Sequence, residues 1–100
     1  MGILEKHKED INELCLNYNV KALYAFGSAL TGQFNKNSDI DLLVAFEPID
    51  VSHYADNYFD FKFSLQKLLN RPVDLLEEKA IKNPYLKKNI QQQRQLIYGH

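Results

Sequence analysis

The sequence has few of the residues that build disulfide-rich, metal-caged or collagen-like proteins. It contains one cysteine, Cys15, together with four glycines, three prolines and no tryptophan. A single thiol excludes an internal disulfide and a thiolate metal cage, and it favours a reducing compartment. The low glycine and proline content, beside 45% apolar residues, excludes disordered and collagen-like chains. We therefore expect residues 1–100 to form a single globular domain.

An excess of one charge and long apolar runs are also lacking. Twelve Lys and Arg residues oppose thirteen Asp and Glu residues, which leaves a formal net charge of −1. Without a large basic field, direct nucleic-acid binding is not expected. No apolar run approaches the roughly 18 residues of a membrane span, and the first ten residues are too charged for a signal peptide. We expect a soluble, cytoplasmic protein that does not contact a membrane.

The hydrophobic periodicity predicts helix, strand, strand, helix, strand and helix, in that order. Short apolar runs predict strands at 21–26, 39–46 and 73–76. A first amphipathic helix precedes them, and Asn83-Pro84 begins a last helix that is predicted to extend to Tyr98 and stop at Gly99. This order is typical of an α/β (α+β) fold with a small mixed sheet of about three strands flanked by helices.

The helix between the second and third strands is rich in aromatic residues and ends near Asn70. Its aromatic side chains are Tyr54, Tyr58, Phe59, Phe61 and Phe63. Core packing is the first interpretation of these residues, as it is for Cys15 on the first helix. They exceed what one helix face can bury against a small sheet, so a partner surface is the second interpretation. The polar run 91–95 is interpreted as a solvated helix face.

Two acidic residues, Asp39 and Asp41, begin the second predicted strand. At this spacing both side chains leave the same face of the strand, so the two carboxylates repel each other. A hard divalent cation resolves the conflict, because Mg²⁺ takes one or two carboxylate oxygens and completes its octahedron with water and substrate phosphate. Asp74 lies in the third strand and completes a two-metal site if the two strands are neighbours.

The dipeptide Gly27-Ser28 ends the first predicted strand. Backbone amides and the positive end of a helix dipole can face an anion at such a turn. Glycine lets a phosphate approach the backbone, and the serine hydroxyl can donate to it. A lone Gly-Ser is usually a turn and a lone Asp-x-Asp a solvated strand end. Joined on a strand, turn, strand frame, they predict a phosphate cradle beside a metal site.

This segment resembles the signature of the DNA polymerase beta-type nucleotidyltransferase superfamily. Gly27-Ser28, ten residues and then Asp39-x-Asp41 fill that pattern, and Val73-Asp74-Leu75 resembles the strand that carries the third carboxylate of the family. The short chain is similar to the minimal nucleotidyltransferases of prokaryotes. The resemblance implies the nucleotidyltransferase fold, with Asp39, Asp41 and Asp74 as catalytic residues that bind two Mg²⁺ ions. It also implies that Gly27 and Ser28 bind the phosphates of ATP or another nucleoside triphosphate.

The resemblance further implies a partner, because minimal nucleotidyltransferases are often encoded beside a HEPN-domain protein. The implied activity is transfer of AMP from ATP to a hydroxyl, a tyrosine of the HEPN toxin, by the antitoxin of a toxin–antitoxin pair. Many minimal members carry an arginine shortly after the serine, where this sequence has Ala29-Leu30-Thr31. The alternative is therefore a non-catalytic, nucleotide-binding subunit that neutralises or completes a HEPN partner by binding alone. Nucleotidylation of a small molecule is a third interpretation, and a homodimer is compatible with all of them.

Overall fold

The computed structural model describes residues 2–26 and 40–99. The helices and strands follow the predicted order, except that two helices occupy the place of the predicted first helix and a strand is added at the end. Their bounds are α1 Gly2–Lys6, α2 Lys8–Asn17, β1 Val20–Phe26, β2 Ile40–Phe46, α3 Val51–Leu69, β3 Val73–Glu77, a 3₁₀ helix Glu78–Ala80, α4 Pro84–Gln93 and β4 Gln95–Tyr98. No helix within the described ranges is both long and apolar enough to cross a bilayer.

The four strands form one sheet in the order β3-β2-β1-β4. The β2–β3 pair is parallel, whereas β1 pairs antiparallel with both β2 and β4. The parallel pair is joined through α3, as a parallel connection requires. The predicted α+β class with a small mixed sheet is confirmed, but the sheet has four strands in the described residues and the predicted number was about three.

The fourth strand corrects the prediction of a last helix extending to Tyr98. Helix α4 ends at Gln93, and Arg94 has an extended backbone with φ −67° and ψ 144°. The following Leu96, Ile97 and Tyr98 favour a strand, and β1 offers them an edge with which to pair. Gly99 therefore follows a strand and does not end a helix.

The rear face of the sheet, defined by Ile40, Leu42 and Val44 of β2, carries the main hydrophobic core. These three side chains are fully buried, and α2 and α3 cover them with residues that include Ile11, Cys15, Phe61 and Leu65. Burial raises the pKa of the Cys15 thiol to about 12, so the thiol is a core group as predicted. Most of the folding energy from apolar burial thus lies behind the sheet.

The front face, defined by Asp41 and Leu43 of β2, is partly covered by α4. Leu43 is buried on this face and shares a small cavity lining with the buried Ile90 of α4. The predicted start of α4 is confirmed, because the Asn83 side chain accepts hydrogen bonds from the backbone N–H groups of Tyr85 and Leu86 at 2.9 and 3.3 Å.

Candidate active site

Asp41 and Asp74 lie next to each other on neighbouring strands. In the parallel β2–β3 register Asp41 is the partner of Asp74, and in the antiparallel β1–β2 register it is the partner of Phe26. Neighbouring strands run about 4.8 Å apart, and residues that pair directly point to the same face. The two carboxylates therefore leave the front face side by side. Asp74 is exposed and Asp41 is partly exposed, so solvent and ligands can reach both.

The apolar residues that flank each aspartate determine its direction. Ile40 and Leu42 are fully buried on the rear face, and so, within 3%, are Val73 and Leu75 of β3. Because side chains alternate along a strand, burying these neighbours turns Asp41 and Asp74 to the front. A slip of one residue would bury both carboxylates and expose the core, so the register is strongly specified.

Helix α3 covers the outer edge of β3, the strand that carries Asp74. The Tyr58 hydroxyl donates to the Leu75 carbonyl, and the backbone N–H of Val73 donates to the Gln66 side chain at 3.0 Å. These bonds satisfy backbone groups on either side of Asp74 that an edge strand would otherwise leave unpaired. Burial and, after it, the negative charges of Asp74 and Glu77 raise the pKa of Tyr58, which is consistent with its role as a hydrogen-bond donor.

The aromatic residues of α3 thus divide into three groups. Phe61 is core, whereas Tyr54 and Tyr58 are partly buried and donate to β3, with Glu77 accepting from Tyr54. Phe59 and Phe63 stack at a centroid distance of 6.2 Å and are exposed. The predicted surplus of aromatic side chains is therefore confined to these two residues of the helix.

Replacing Tyr58 by phenylalanine tests how firmly α3 holds the site. The variant leaves the partly buried Leu75 carbonyl without its donor, which is expected to cost about 1 kcal/mol of unfolding free energy. That loss corresponds to a decrease in Tm of roughly 4–8 °C in a domain of this size. The exposed Tyr85 provides a matched control, and Tyr85→Phe should leave Tm unchanged. Equal Tm values for wild type and Tyr58→Phe would show that this bond does not stabilise β3.

Three of the five predicted site residues, Gly27, Ser28 and Asp39, lie outside the described residues. The strands before and after these residues show where the chain leaves the described structure and where it returns. β1 ends at Phe26, β2 begins at Ile40, and Phe26 pairs with Asp41. The segment that contains the predicted phosphate cradle therefore departs from and returns to the sheet at the end where the two carboxylates lie.

The donor set at this end of the sheet fits a hard divalent cation. Asp41 and Asp74 supply adjacent carboxylates on an accessible surface, and carboxylate oxygens are the ligands that Mg²⁺ takes from proteins. Among the described residues no group of three metal-binding side chains occurs. The third carboxylate of the predicted set, Asp39, belongs to the segment that is not described.

Arg94 lies on the front face of the sheet. The sequence analysis interpreted the run 91–95 as a solvated helix face and therefore did not identify Arg94 as a residue that packs on the sheet. Its guanidinium carbon lies 4.0 Å from the centre of the Tyr24 ring, and a guanidinium nitrogen lies 3.5 Å from a carboxylate oxygen of Glu78. Tyr24 pairs with Leu43, two residues and about 7 Å along the strands from the Phe26–Asp41 pair. Stacking on Tyr24 attaches the end of α4 to the sheet.

The sequence as a whole matches a known family. Residues 4–97 match the family model described as "Nucleotidyltransferase domain". The chain belongs to the nucleotidyltransferase domain family. A relative from Methanocaldococcus jannaschii, named as a candidate protein adenylyltransferase, is 41% identical over 96 residues, which cover 96% of this chain and 90% of the relative. Family membership agrees with the enzyme class that the Gly-Ser and Asp-x-Asp signature implied.

Solved structures share the nucleotidyltransferase fold. A candidate minimal nucleotidyltransferase superposes with a TM-score of 0.78 and 28% identity over 95% of both chains. A toxin–antitoxin complex with AMP-PNP gives a TM-score of 0.71 at 23% identity, over 93% of this chain and 73% of the other. A Shewanella oneidensis complex of a tri-AMPylated HEPN toxin with its MNT antitoxin gives 0.66 at 19% identity, over 97% and 73%. The last two likenesses, at low identity, establish the fold alone.

Proposed function

We propose that this nucleotidyltransferase transfers AMP from ATP to a tyrosine hydroxyl of a HEPN-domain toxin and acts as the antitoxin of that pair in the cytoplasm. The observation that carries the proposal is the pairing of Asp41 with Asp74 on an accessible face of the sheet. Two findings on similar proteins support it. A 41%-identical relative is named as a candidate protein adenylyltransferase, and a fold neighbour forms a complex with an AMPylated HEPN toxin.

The proposed reaction is an in-line displacement at the α-phosphorus of ATP. The acceptor oxygen forms a bond to this phosphorus, the bond to the bridging oxygen breaks, and pyrophosphate leaves. Asp39, Asp41 and Asp74 would hold two Mg²⁺ ions, which supply charge stabilisation for the phosphates and the leaving oxygen. Asp74 would also accept the hydroxyl proton, since it is the exposed member of the adjacent pair.

Gly27 and Ser28 would bind the β- and γ-phosphates through backbone N–H groups and the serine hydroxyl. This role rests on the sequence pattern, in which the dipeptide directly follows the last residue of β1. Holding the triphosphate in this way would aim the leaving group away from the acceptor, as in-line attack requires.

A second candidate function is neutralisation of the HEPN partner by binding alone. The observation that favours it is the sequence Ala29-Leu30-Thr31, which offers no arginine to the triphosphate. The adjacent carboxylates favour catalysis, because a purely binding subunit has no use for two carboxylates held side by side in mutual repulsion.

Incubation with ATP labelled at the α-phosphate and the HEPN-domain protein encoded beside this gene separates the two functions. We expect Mg²⁺-dependent transfer of label to the HEPN protein, with the modified tyrosine located by peptide mass spectrometry. ATP labelled at the γ-phosphate should transfer no label. Neutralisation of the toxin without any label transfer would reject the enzyme and establish the binding subunit.

A further inference from the structure

The charges of this chain are divided unevenly along its length. The last 22 residues carry five cations and no carboxylate, whereas the first 78 carry seven cations and thirteen carboxylates. The five cations are Lys79, Lys82, Lys87, Lys88 and Arg94. The net charge of −1 is therefore the sum of a basic C-terminal segment, made of α4 and its flanks, and an acidic remainder of the chain.

This basic segment lies on the same face of the sheet as the two carboxylates. Ile90 packs on the front face near Leu43, and Arg94 stacks on Tyr24. Leu43 is two residues along β2 from Asp41, so α4 covers the front face immediately beside the carboxylate end. The front face therefore carries both the carboxylates and α4.

The outer surface of α4 combines exposed apolar groups with exposed lysines. Tyr85 is 81% exposed and Leu86 45%, although both residues are large and apolar. Lys82 and Lys88 flank them, and neither lysine forms an ion pair with another described residue. An aromatic and aliphatic centre with a charged rim is typical of a protein interface.

We infer that the outer surface of α4, formed by Lys82, Tyr85, Leu86 and Lys88, docks an acidic segment of the protein acceptor. This inference rests on the proposed function and names the surface that would position its substrate. The lysines complement Asp and Glu side chains, while Tyr85 and Leu86 take an apolar side chain of the same segment. A folded protein fits this surface better than an RNA does, because the rest of the chain is acidic and repels a polyanion.

The exposed Phe59–Phe63 pair belongs to α3 and is not part of this surface. Phe59 packs against Tyr58, whose hydroxyl donates to the Leu75 carbonyl, so the pair lies toward the edge of β3. Helix α3 also carries two lysines, Lys62 and Lys67. It therefore provides charge and aromatic control variants on a second helix.

The test measures the Kd of the complex with the adjacently encoded HEPN protein, together with the KM for ATP in the transfer assay. For Lys82→Glu/Lys88→Glu and for Tyr85→Ala, the Kd should rise about tenfold or more. The KM for ATP and Tm should not change. The charge variant should also lose the salt dependence that wild-type binding shows. The matched controls Lys62→Glu/Lys67→Glu and Phe63→Ala on α3 should bind like wild type.

The possible failures are distinguishable. Wild-type binding without AMP transfer rejects the proposed activity and leaves the docking surface supported if the α4 variants lose affinity. AMP transfer with unchanged Kd in the α4 variants rejects the docking surface alone. A raised KM for ATP in the lysine variant would mean that the lysines bind the nucleotide. A variant that loses affinity for RNA but keeps its Kd for the HEPN protein would mean that the lysines bind RNA. Either result overturns the inference.

Discussion

Replacing Asp41 or Asp74 by asparagine is expected to lower the rate of AMP transfer by roughly 10²–10³-fold or more. Asparagine has nearly the same shape as aspartate but carries no charge. It therefore removes one of the two adjacent carboxylates while leaving the packing of β2 and β3 intact. Single-turnover transfer of label from ATP to the HEPN protein measures the loss. The same substitution at Asp39 should have an effect of equal size.

The same variants should fold at least as well as wild type. Two carboxylates on paired residues repel each other, so neutralising one of them relieves a destabilising interaction in the absence of a cation. We expect Tm in EDTA to stay the same or rise by a few degrees, and the stabilisation of wild type by Mg²⁺ to disappear. Asp60→Asn, on the exposed side of α3, is the matched control and should retain full activity. Full transfer by Asp41→Asn, or by wild type in excess EDTA, would reject the metal site.

The adjacency of Asp41 and Asp74 could be predicted only in part from the sequence. Alternation of Ile40, Leu42 and Val44 predicts that Asp41 turns away from the core, and the structure agrees. Nothing in the spacing between residues 41 and 74 determines their register. That register depends on the burial of Val73 and Leu75 against α3 and on the bonds that Tyr58 and Gln66 make with the strand. These are tertiary interactions, which no local pattern contains.

The position of the last helix also required the structure. Its N-cap is local chemistry, and the sequence predicted it correctly at Asn83. The face of the sheet that it covers depends on where Ile90 packs and on the pairing of β4 with β1. The structure shows that α4 lies on the front face beside Asp41, whereas α3 packs on the rear face and along the edge of β3.

Replacing Gly99 by alanine is expected to destabilise the protein by about 2–4 kcal/mol, because alanine would be strained at this backbone angle and the position has no room for a side chain. Its φ is +99°, a conformation that residues with a Cβ rarely adopt. The added Cβ would lie 2.3 Å from the carbonyl oxygen of Lys21 and 3.0 Å from the Cα of Ala22. Both atoms belong to the backbone of β1, so relief of the clash requires β4 to move away from that strand.

Thermal unfolding measures the cost, and a decrease in Tm of about 10 °C or more is expected from the entropy of unfolding of a domain of this size. Gln95→Ala changes an exposed residue of the same strand and should have little effect. Hydrogen exchange identifies the cause, since separation of β4 from β1 should accelerate exchange within 23–25 while the β2–β3 pair stays protected. Arg94 directly precedes β4 and stacks on Tyr24 of β1, so separation of the two strands should also displace the end of α4. The variant should therefore bind its protein acceptor less tightly and keep its affinity for ATP. An unchanged Tm for Gly99→Ala would mean that β4 does not pair with β1, and the position of α4 beside the carboxylates would then lose one of its supports.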